Sequence, residues 1–295
     1  MKRILITGCG GQLGRALTDE YEGEAALILT DTADAAVVIP GAHPLDITDI
    51  DEVTEFVTRE RPTTIINCAA MTNVDGCEAN PDAAYRVNAL GTRNLAVAAE
   101  SIGAKLIHIS TDYVFSGTDP NPLPEYEEPD PLSVYGRTKL AGERYVERFC
   151  RRWFILRTAW LYGEGKNFVR TMLSLAEDHD EVKVVDDQIG SPTSAAELAR
   201  MIKRLEPTMK YGIYHTTCEG QVSWADFARY IFELAGKKTK VTSISSSEYK
   251  AMNPKSAKRP AFSILAGDML RLNGFPPMAD WKDAIREYML KEAGK

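Results

Sequence analysis

An α/β fold, a doubly wound parallel sheet with a smaller C-terminal α/β lobe, is predicted by three features of the sequence. Short apolar runs alternate with helical stretches through the first 160 residues. A glycine-rich turn stands directly after the first apolar run. Beyond residue 160 the alternation becomes irregular, and polar residues are scattered through it. With 295 residues the chain can bury one large core, or one core and a smaller lobe.

The first element is the strand Arg3-Ile4-Leu5-Ile6-Thr7, followed by Gly8-Cys9-Gly10-Gly11-Gln12-Leu13-Gly14 and a helical stretch over 15–21. Gly8, Gly11 and Gly14 permit a tight turn, close approach of backbone N–H groups to a phosphate, and close helix–strand packing. The helix N-terminus then faces the anion. This spacing makes the sheet Rossmann-like and the turn a dinucleotide cradle; a plain strand-to-helix turn is the competing explanation. A second strand over 25–30 ends at Asp31, near the position where an acid binds the adenine ribose. A carboxylate there repels a ribose phosphate and leans the cofactor towards NADH, whereas Arg15 is placed to reach a phosphate. A loop or cap role suits Asp31 equally well. Asp46, in the stretch 44–48, either caps the helix expected over 49–61 or contacts adenine.

The next strand, over 62–70, runs into Cys68, Ala69 and Ala70, small residues that let a flat ligand approach the backbone. A polar loop over 71–77 precedes a long helix over 80–102, where Asn88 and Asn94 are expected to tie backbone together. The strand over 105–111 ends in Ser110, Thr111, Asp112 and Tyr113. Ligands of open α/β sheets bind beyond the carboxyl ends of the strands, although strand-end capping explains these residues as well. His108, inside that strand, reads as a satisfied core residue. The stretch 116–132 holds Pro120, Pro122, Pro124, Pro129 and Pro131, and is expected to be a loop over the site.

A helix follows, in which Tyr135 and Lys139 stand four apart and share one face. An ammonium beside a phenol favours the phenolate and lowers its pKa, making Tyr135 a usable proton donor or acceptor. The plainer alternative is a buried tyrosine beside a snorkelling lysine. A strand over 152–158 leads to Trp160, which either walls the apolar face of a ligand or packs in the core. Helices are expected over 167–176, 194–204, 223–235 and 279–293, with strands over 182–186, 211–217 and 240–244. Arg259 and Pro260 sit in a polar loop. The expected division is a dinucleotide-binding domain over 1–160 and a mainly substrate-binding lobe over 161–295. The strand near 182–186 and the helix near 194–204 are candidates to return to the first domain.

Composition excludes several function classes. The chain is 44% hydrophobic and 26% charged, ordinary for a soluble protein. A net charge of −7 argues against nucleic-acid and anionic-membrane binding. Five cysteines without a CxxC pair read as reduced thiols in a cytoplasmic protein. Four scattered histidines show no metal-ligand spacing, so no metal is expected. No apolar run approaches a membrane span, and the N-terminus does not resemble a signal peptide.

Six ordered blocks carry a resemblance to known proteins. They are Gly8 to Gly14, Asn67 to Asp75, Ser110 to Phe115, Tyr135 to Glu143, Arg157 to Tyr162 and Asp187 to Thr193. Together they resemble the extended short-chain dehydrogenase/reductase superfamily and, within it, the dTDP-4-dehydrorhamnose reductase family, nearly end to end. The resemblance implies NAD(P)H-dependent reduction of the 4-keto group of dTDP-4-dehydro-6-deoxy-L-mannose to dTDP-L-rhamnose. It implies Tyr135, Lys139 and Thr111 as catalytic residues. Implied cofactor contacts are Gly11, Gln12 and Leu13, then Asp31, Asp46 and Ile47, then Ala69, Ala70 and Thr72. Implied substrate contacts are Val74, Thr111, Asp112, Tyr113 and Trp160, with Arg259 for the nucleotide diphosphate. Another sugar-nucleotide reductase or epimerase, and a non-catalytic reductase-like regulatory subunit of methionine adenosyltransferase, are the alternatives.

Two departures narrow the resemblance. Dimeric members use glutamates at a metal-linked interface, one of them soon after the last glycine of the motif. Here Arg15 and Ala16 occupy that region, while Glu197 and Glu287 are candidates for the others. A monomer or weak homodimer is therefore expected. Tyr113 stands after Thr111-Asp112, where dehydratases carry an acid, which favours simple reduction.

Overall fold

The structure, a computed structural model, describes residues 2–294. Its centre is a seven-stranded sheet in which every pair of neighbours is parallel. From one edge to the other the strands are Gly212–His215, Trp153–Thr158, Lys105–Thr111, Thr64–Asn67, Arg3–Thr7, Ala26–Asp31 and Ala42–Pro44. A strand buried on both faces needs apolar side chains at successive positions, and these strands have them. Ile4, Ile6, Ile66, Ile107, Phe154 and Leu156 pack on one side with Leu13, Leu17, Leu198 and Ile202. Their alternate neighbours Leu5, Ile65, Leu106 and Ile155 pack on the other with Val53, Phe56, Leu95 and Val146. Helices therefore cover both faces, and the sheet is doubly wound.

The strand order reverses between Arg3–Thr7 and Thr64–Asn67. That switch point leaves a crevice at the carboxyl ends of the strands. The glycine turn, the residues after Asn67 and those after Thr111 all open onto it.

Several elements differ from the sequence-based expectation. Within the polar stretch 71–77 begins the helix Val74–Ala79, capped by Asn73, whose side chain accepts from the Gly76 N–H. The long helix expected over 80–102 is three segments, Pro81–Tyr85, a π-turn over Arg86–Gly91, and Thr92–Ile102. The strand expected near 182–186 is Glu181–Val185, and it pairs with Lys240–Ile244 away from the seven-stranded sheet. Gly212–His215 instead supplies the edge of that sheet, pairing with Trp153–Thr158. Helix Ala195–Leu205 packs against Gln12–Glu20, so this part of the C-terminal half does return. The proline-rich stretch 116–132 does not cover the cavity. Leu123 bridges to Leu265, and the buried Glu125 carboxylate accepts from the N–H groups of His215 and Met269, both at 3.1 Å. The stretch thus straps the sheet to the C-terminal lobe.

Candidate active site

One cavity of about 660 Å³ occupies the crevice. Its cofactor end begins where Arg3–Thr7 stops. Gly8 has φ +66°, and a Cβ there would lie 2.8 Å from the Ala69 nitrogen. The Gly11 N–H donates to the Gly8 carbonyl at 3.0 Å, closing the turn. A Cβ on Gly14 would lie 2.4 Å from the Gly8 oxygen, so only glycine lets the helix Gln12–Glu20 settle on the turn. That helix has no side-chain cap and no acid in its first turn, leaving its N-terminal N–H groups to a ligand. Gln12 Oε1 is buried without a partner. A glycine cradle and an uncapped helix end fit a dinucleotide pyrophosphate, and the orphaned acceptor fits a hydroxyl donor beside it.

Asp31 lines the cavity and accepts from the N–H groups of Gly10 and Thr32, both at 2.8 Å. Arg15 is drawn aside, donating to the Gly10 carbonyl at 2.9 Å and pairing with Glu164 at 3.0 Å. Asp46 also lines the cavity but caps no helix: Asp49 caps Ile50–Glu60, and Asp46 accepts from the Thr48 N–H at 2.9 Å. Ile47, Ala69, Ala70 and Thr72 complete this end with Leu13. Asn94 holds the Ile47 and Thr48 carbonyls at 3.0 and 3.1 Å, and Asn88 holds the Met71 N–H at 2.8 Å. Both asparagines tie backbone together as expected, and both stand behind cavity walls.

The chemical end is built by Lys105–Thr111 and the helix Val134–Phe149. Ser133 caps that helix by accepting from the Gly136 N–H at 3.1 Å. A Cβ on Gly136 would lie 2.1 Å from the Tyr113 oxygen, so the helix begins against the end of the strand. Thr111, Asp112, Tyr113, Tyr135 and Lys139 all line the cavity here. The Thr111 hydroxyl donates to Asp112 Oδ1 at 2.8 Å, and the Tyr113 ring meets Tyr135 edge-on at 5.5 Å.

The electrostatics differ from the expectation at one point. Burial pushes the Tyr135 phenol well above its ordinary pKa; the hydrogen bond to Thr111 draws it down, and the nearby Asp112 charge raises it. Tyr135 is therefore a neutral phenol. Lys139 does not act as the phenol's tuning charge in this arrangement, because its ammonium is directed elsewhere. It donates to the Ile109 carbonyl at 2.6 Å and lies 3.4 Å from His108 Nε2. Burial lowers Lys139 to about 8, against the raising effect of Glu143 and Cys68. Burial likewise raises Asp112 to about 6, against hydrogen bonds from Ser263 and Thr111 that lower it. Glu143 forms a bidentate pair with Arg157 at 3.0 and 2.8 Å and accepts from Ser110 at 2.5 Å, all buried.

Trp160 and Val74 line the far end. Trp160 has φ +49°, an uncommon conformation for a bulky residue, and stacks on Trp224 at 3.5 Å and 7°. A Cβ on Gly190 would meet the Trp160 ring at 2.5 Å. Arg259 is the predicted site residue that does not line the cavity. It pairs with Asp75 at 3.5 Å, with its Nε buried and unpartnered. Trp224, Glu164 and Lys166 line the cavity and were not anticipated. Glycines at 163 and 165 flank Glu164 and were the available signal there; nothing local links Trp224 to Trp160.

Among the described residues no cluster of three or more His, Cys, Asp or Glu could hold a metal. Glu197 and Glu287 do approach each other, but Arg200 lies between them and bonds both. All five cysteines are free, and no described helix is long and apolar enough to cross a membrane.

Residues 1–293 match the family described as the RmlD substrate binding domain. A dTDP-4-dehydrorhamnose reductase of Aggregatibacter actinomycetemcomitans is 40% identical, over 97% of this chain and 98% of its own. A crystal structure of a dTDP-4-dehydrorhamnose reductase from Clostridium acetobutylicum superposes with a TM-score of 0.93, at 44% identity and 99% coverage of both chains. The Bacillus anthracis enzyme of that name, solved in complex with NADP, gives a TM-score of 0.91 at 43% identity, covering 99% of this chain and 100% of its own.

Proposed function

The chain belongs to the RmlD substrate binding domain family, that of the dTDP-4-dehydrorhamnose reductases, and from that premise we propose that it reduces the 4-keto group of dTDP-4-dehydro-6-deoxy-L-mannose to give dTDP-L-rhamnose. One observation carries the reading: a single cavity joins the glycine turn at one end to Thr111, Tyr135 and Lys139 at the other. A bound nicotinamide cofactor supplies the hydride to the keto carbon.

The chain's own residues do the rest. The turn from Gly8 to Gly14 and the N–H groups of the following helix hold the pyrophosphate. Asp31 receives the adenine ribose hydroxyls, and its charge favours NADH over NADPH; Asp46, Ile47, Ala69, Ala70 and Thr72 wall the cofactor. Negative charge grows on the sugar oxygen during reduction; the Tyr135 hydroxyl is available to it, and the Thr111 hydroxyl becomes so by turning its hydrogen from Asp112 Oδ1 to that oxygen. Tyr135, kept neutral by burial, donates its proton there. The Lys139 ammonium holds the nicotinamide ribose. Val74, Tyr113 and Trp160 enclose the deoxysugar, Asp112 holds Thr111, and Arg259 turns from Asp75 to the diphosphate. The protein acts in the cytoplasm, in keeping with its free thiols, and as a monomer or weak homodimer.

The test is sugar-dependent oxidation of NADH and of NADPH by purified protein. Tyr135→Phe is expected to lower kcat by about 10²–10⁴-fold, and NADH to show the lower KM. An unchanged rate in Tyr135→Phe rejects the proton-donor role. Product formed without net consumption of reduced cofactor identifies an epimerase instead.

A further inference from the structure

His108 lies in the middle of strand Lys105–Thr111 and is fully buried, yet both ring nitrogens face polar atoms. Nε2 is 3.4 Å from Lys139 Nζ, and Nδ1 is 3.1 Å from Asn67 Nδ2. Behind Asn67 stand Thr7, whose hydroxyl donates to Asn67 Oδ1 at 2.8 Å, and Thr92, which lies 3.3 Å from Nδ2. Five elements thus meet in a buried polar chain that ends at the lysine. A core position needing only volume is filled by an aliphatic residue without any such partners.

The proton inventory of this chain is restrictive. A neutral imidazole has one N–H and one acceptor nitrogen. Burial and the adjacent Lys139 charge both disfavour a second proton on His108. A lysine ammonium only donates, so a charged Lys139 requires Nε2 to accept and Nδ1 to carry the hydrogen. Nδ1–H then needs an acceptor, which Asn67 provides when its amide turns through 180° and gives its nitrogen to Thr7, the Thr92 hydroxyl turning its hydrogen from the Asn88 carbonyl to the Asn67 oxygen. With the amide as placed, Asn67 donates to Nδ1, the hydrogen moves to Nε2, and Lys139 is matched only as a neutral amine. The charge on Lys139, the tautomer of His108 and the orientation of Asn67 are therefore one coupled state.

We propose that His108 is a positioning residue for Lys139: as the Nδ1–H tautomer it accepts from the ammonium, holds the charge in a buried site, and with the Ile109 carbonyl leaves one N–H of the ammonium for the cavity. The inference rests on the assignment of Lys139 to the reductase site. The ionisable groups facing Lys139 are Glu143 and Tyr135 on its own helix, Cys68 beyond strand Thr64–Asn67, and His108 itself. Lys139 is the charge that faces His108.

Two measurements test this. The first is imidazole ¹⁵N NMR of the full chain, whose four histidines make assignment with His108→Gln direct. Wild type is expected to show His108 neutral from pH 6 to 8 as the Nδ1–H tautomer, and Lys139→Met to move it towards Nε2–H. An Nε2–H tautomer in wild type, or one indifferent to Lys139→Met, overturns the proposal. The second is the pH dependence of kcat. Losing a hydrogen bond to a charged group corresponds to a fall of about 10–100-fold in kcat for His108→Phe. Its basic limb is expected to move to lower pH, with the sugar-nucleotide KM unchanged. His108→Gln, which keeps an acceptor, restores most of the rate. Wild-type kcat and pH profile in His108→Phe, alongside an inactive Lys139→Met, reject the role of His108 alone. A fully active Lys139→Met rejects the site assignment beneath it. If His108→Phe does not fold, the tautomer in wild type and Lys139→Met still decides.

Discussion

Asp112 is a carboxylate placed where its charge is unfavourable, 3% exposed at the end of a central strand. Its folded pKa is about 6, raised from 3.8 chiefly by burial. Between those values the folded chain keeps a proton that the unfolded chain has released. Stability therefore falls as pH rises from about 4 to about 6, and the full penalty is present above 6. Asp112→Asn removes the charge and is expected to stabilise the protein at pH 8 by roughly 2–3 kcal/mol, with no gain at pH 4. Urea unfolding of both proteins at both pH values checks this; an equal shift at the two pH values refutes it. In the ionised state Asp112 accepts the Thr111 hydroxyl hydrogen at 2.8 Å, which fixes the threonine side chain at the cavity wall. At this scale the site was partly legible. Tyr135, Lys139 and Thr111 could be picked out because their spacing and strand-end placement are local properties. The target of the Lys139 ammonium was not, because Ile109 and His108 reach it from a strand some 30 residues away in sequence.

The helix Val134–Phe149 carries Tyr135, Lys139 and Glu143 on one face, and small residues set its distance from its neighbours. A Cβ on Gly142 would lie 2.6 Å from the Asn88 carbonyl and 3.3 Å from the Thr92 hydroxyl. The first contact is backbone, in the π-turn Arg86–Gly91, and a helix ladder cannot give way as a flexible side chain does. Gly142→Ala is therefore expected to push the two helices apart, destabilising the protein by about 1–3 kcal/mol and lowering kcat more than it raises KM. Gly267→Ala, where a Cβ meets nothing nearer than 3.9 Å, is the control and stays within about 0.5 kcal/mol of wild type. Thermal unfolding and steady-state kinetics on both variants decide it; equal behaviour removes close packing as the reason for Gly142. Apolar runs and caps made most strands and helices of the first half readable from sequence. The π-turn was not, since it depends on Asn88 reaching the Met71 backbone and Thr138 at once. Nor was the sheet position of Gly212–His215, since four residues do not encode which distant edge they will join.

The molecule's parts are linked by a few charged contacts whose consequences reach beyond one chain. The buried Glu143–Arg157 pair ties the Tyr135 helix to the strand Trp153–Thr158, and the His215 ring approaches Arg157 from the sheet's edge strand. On the opposite side, Arg200 of helix Ala195–Leu205 bonds Glu197 on its own helix and Glu287 on the C-terminal helix Trp281–Ala293, the latter through two 3.0 Å contacts. The resemblance to metal-linked dimers made these glutamates candidate ligands, but one guanidinium already bonds both. It is anchored, because Glu197 also accepts from the Ala279 N–H at 3.3 Å. A divalent cation would have to displace that guanidinium and then supply the charge it removed. Near Gly14 the chain offers Arg15, bonded to Gly10 and Glu164, rather than a further carboxylate. Both features oppose association through a shared cation. Size-exclusion chromatography with light scattering is therefore expected to give the mass of one chain at micromolar protein. Excess EDTA is expected to change neither that mass nor the reductase rate. A dimer that falls apart, or activity that falls, on chelation would show that the carboxylates bind a cation in spite of Arg200.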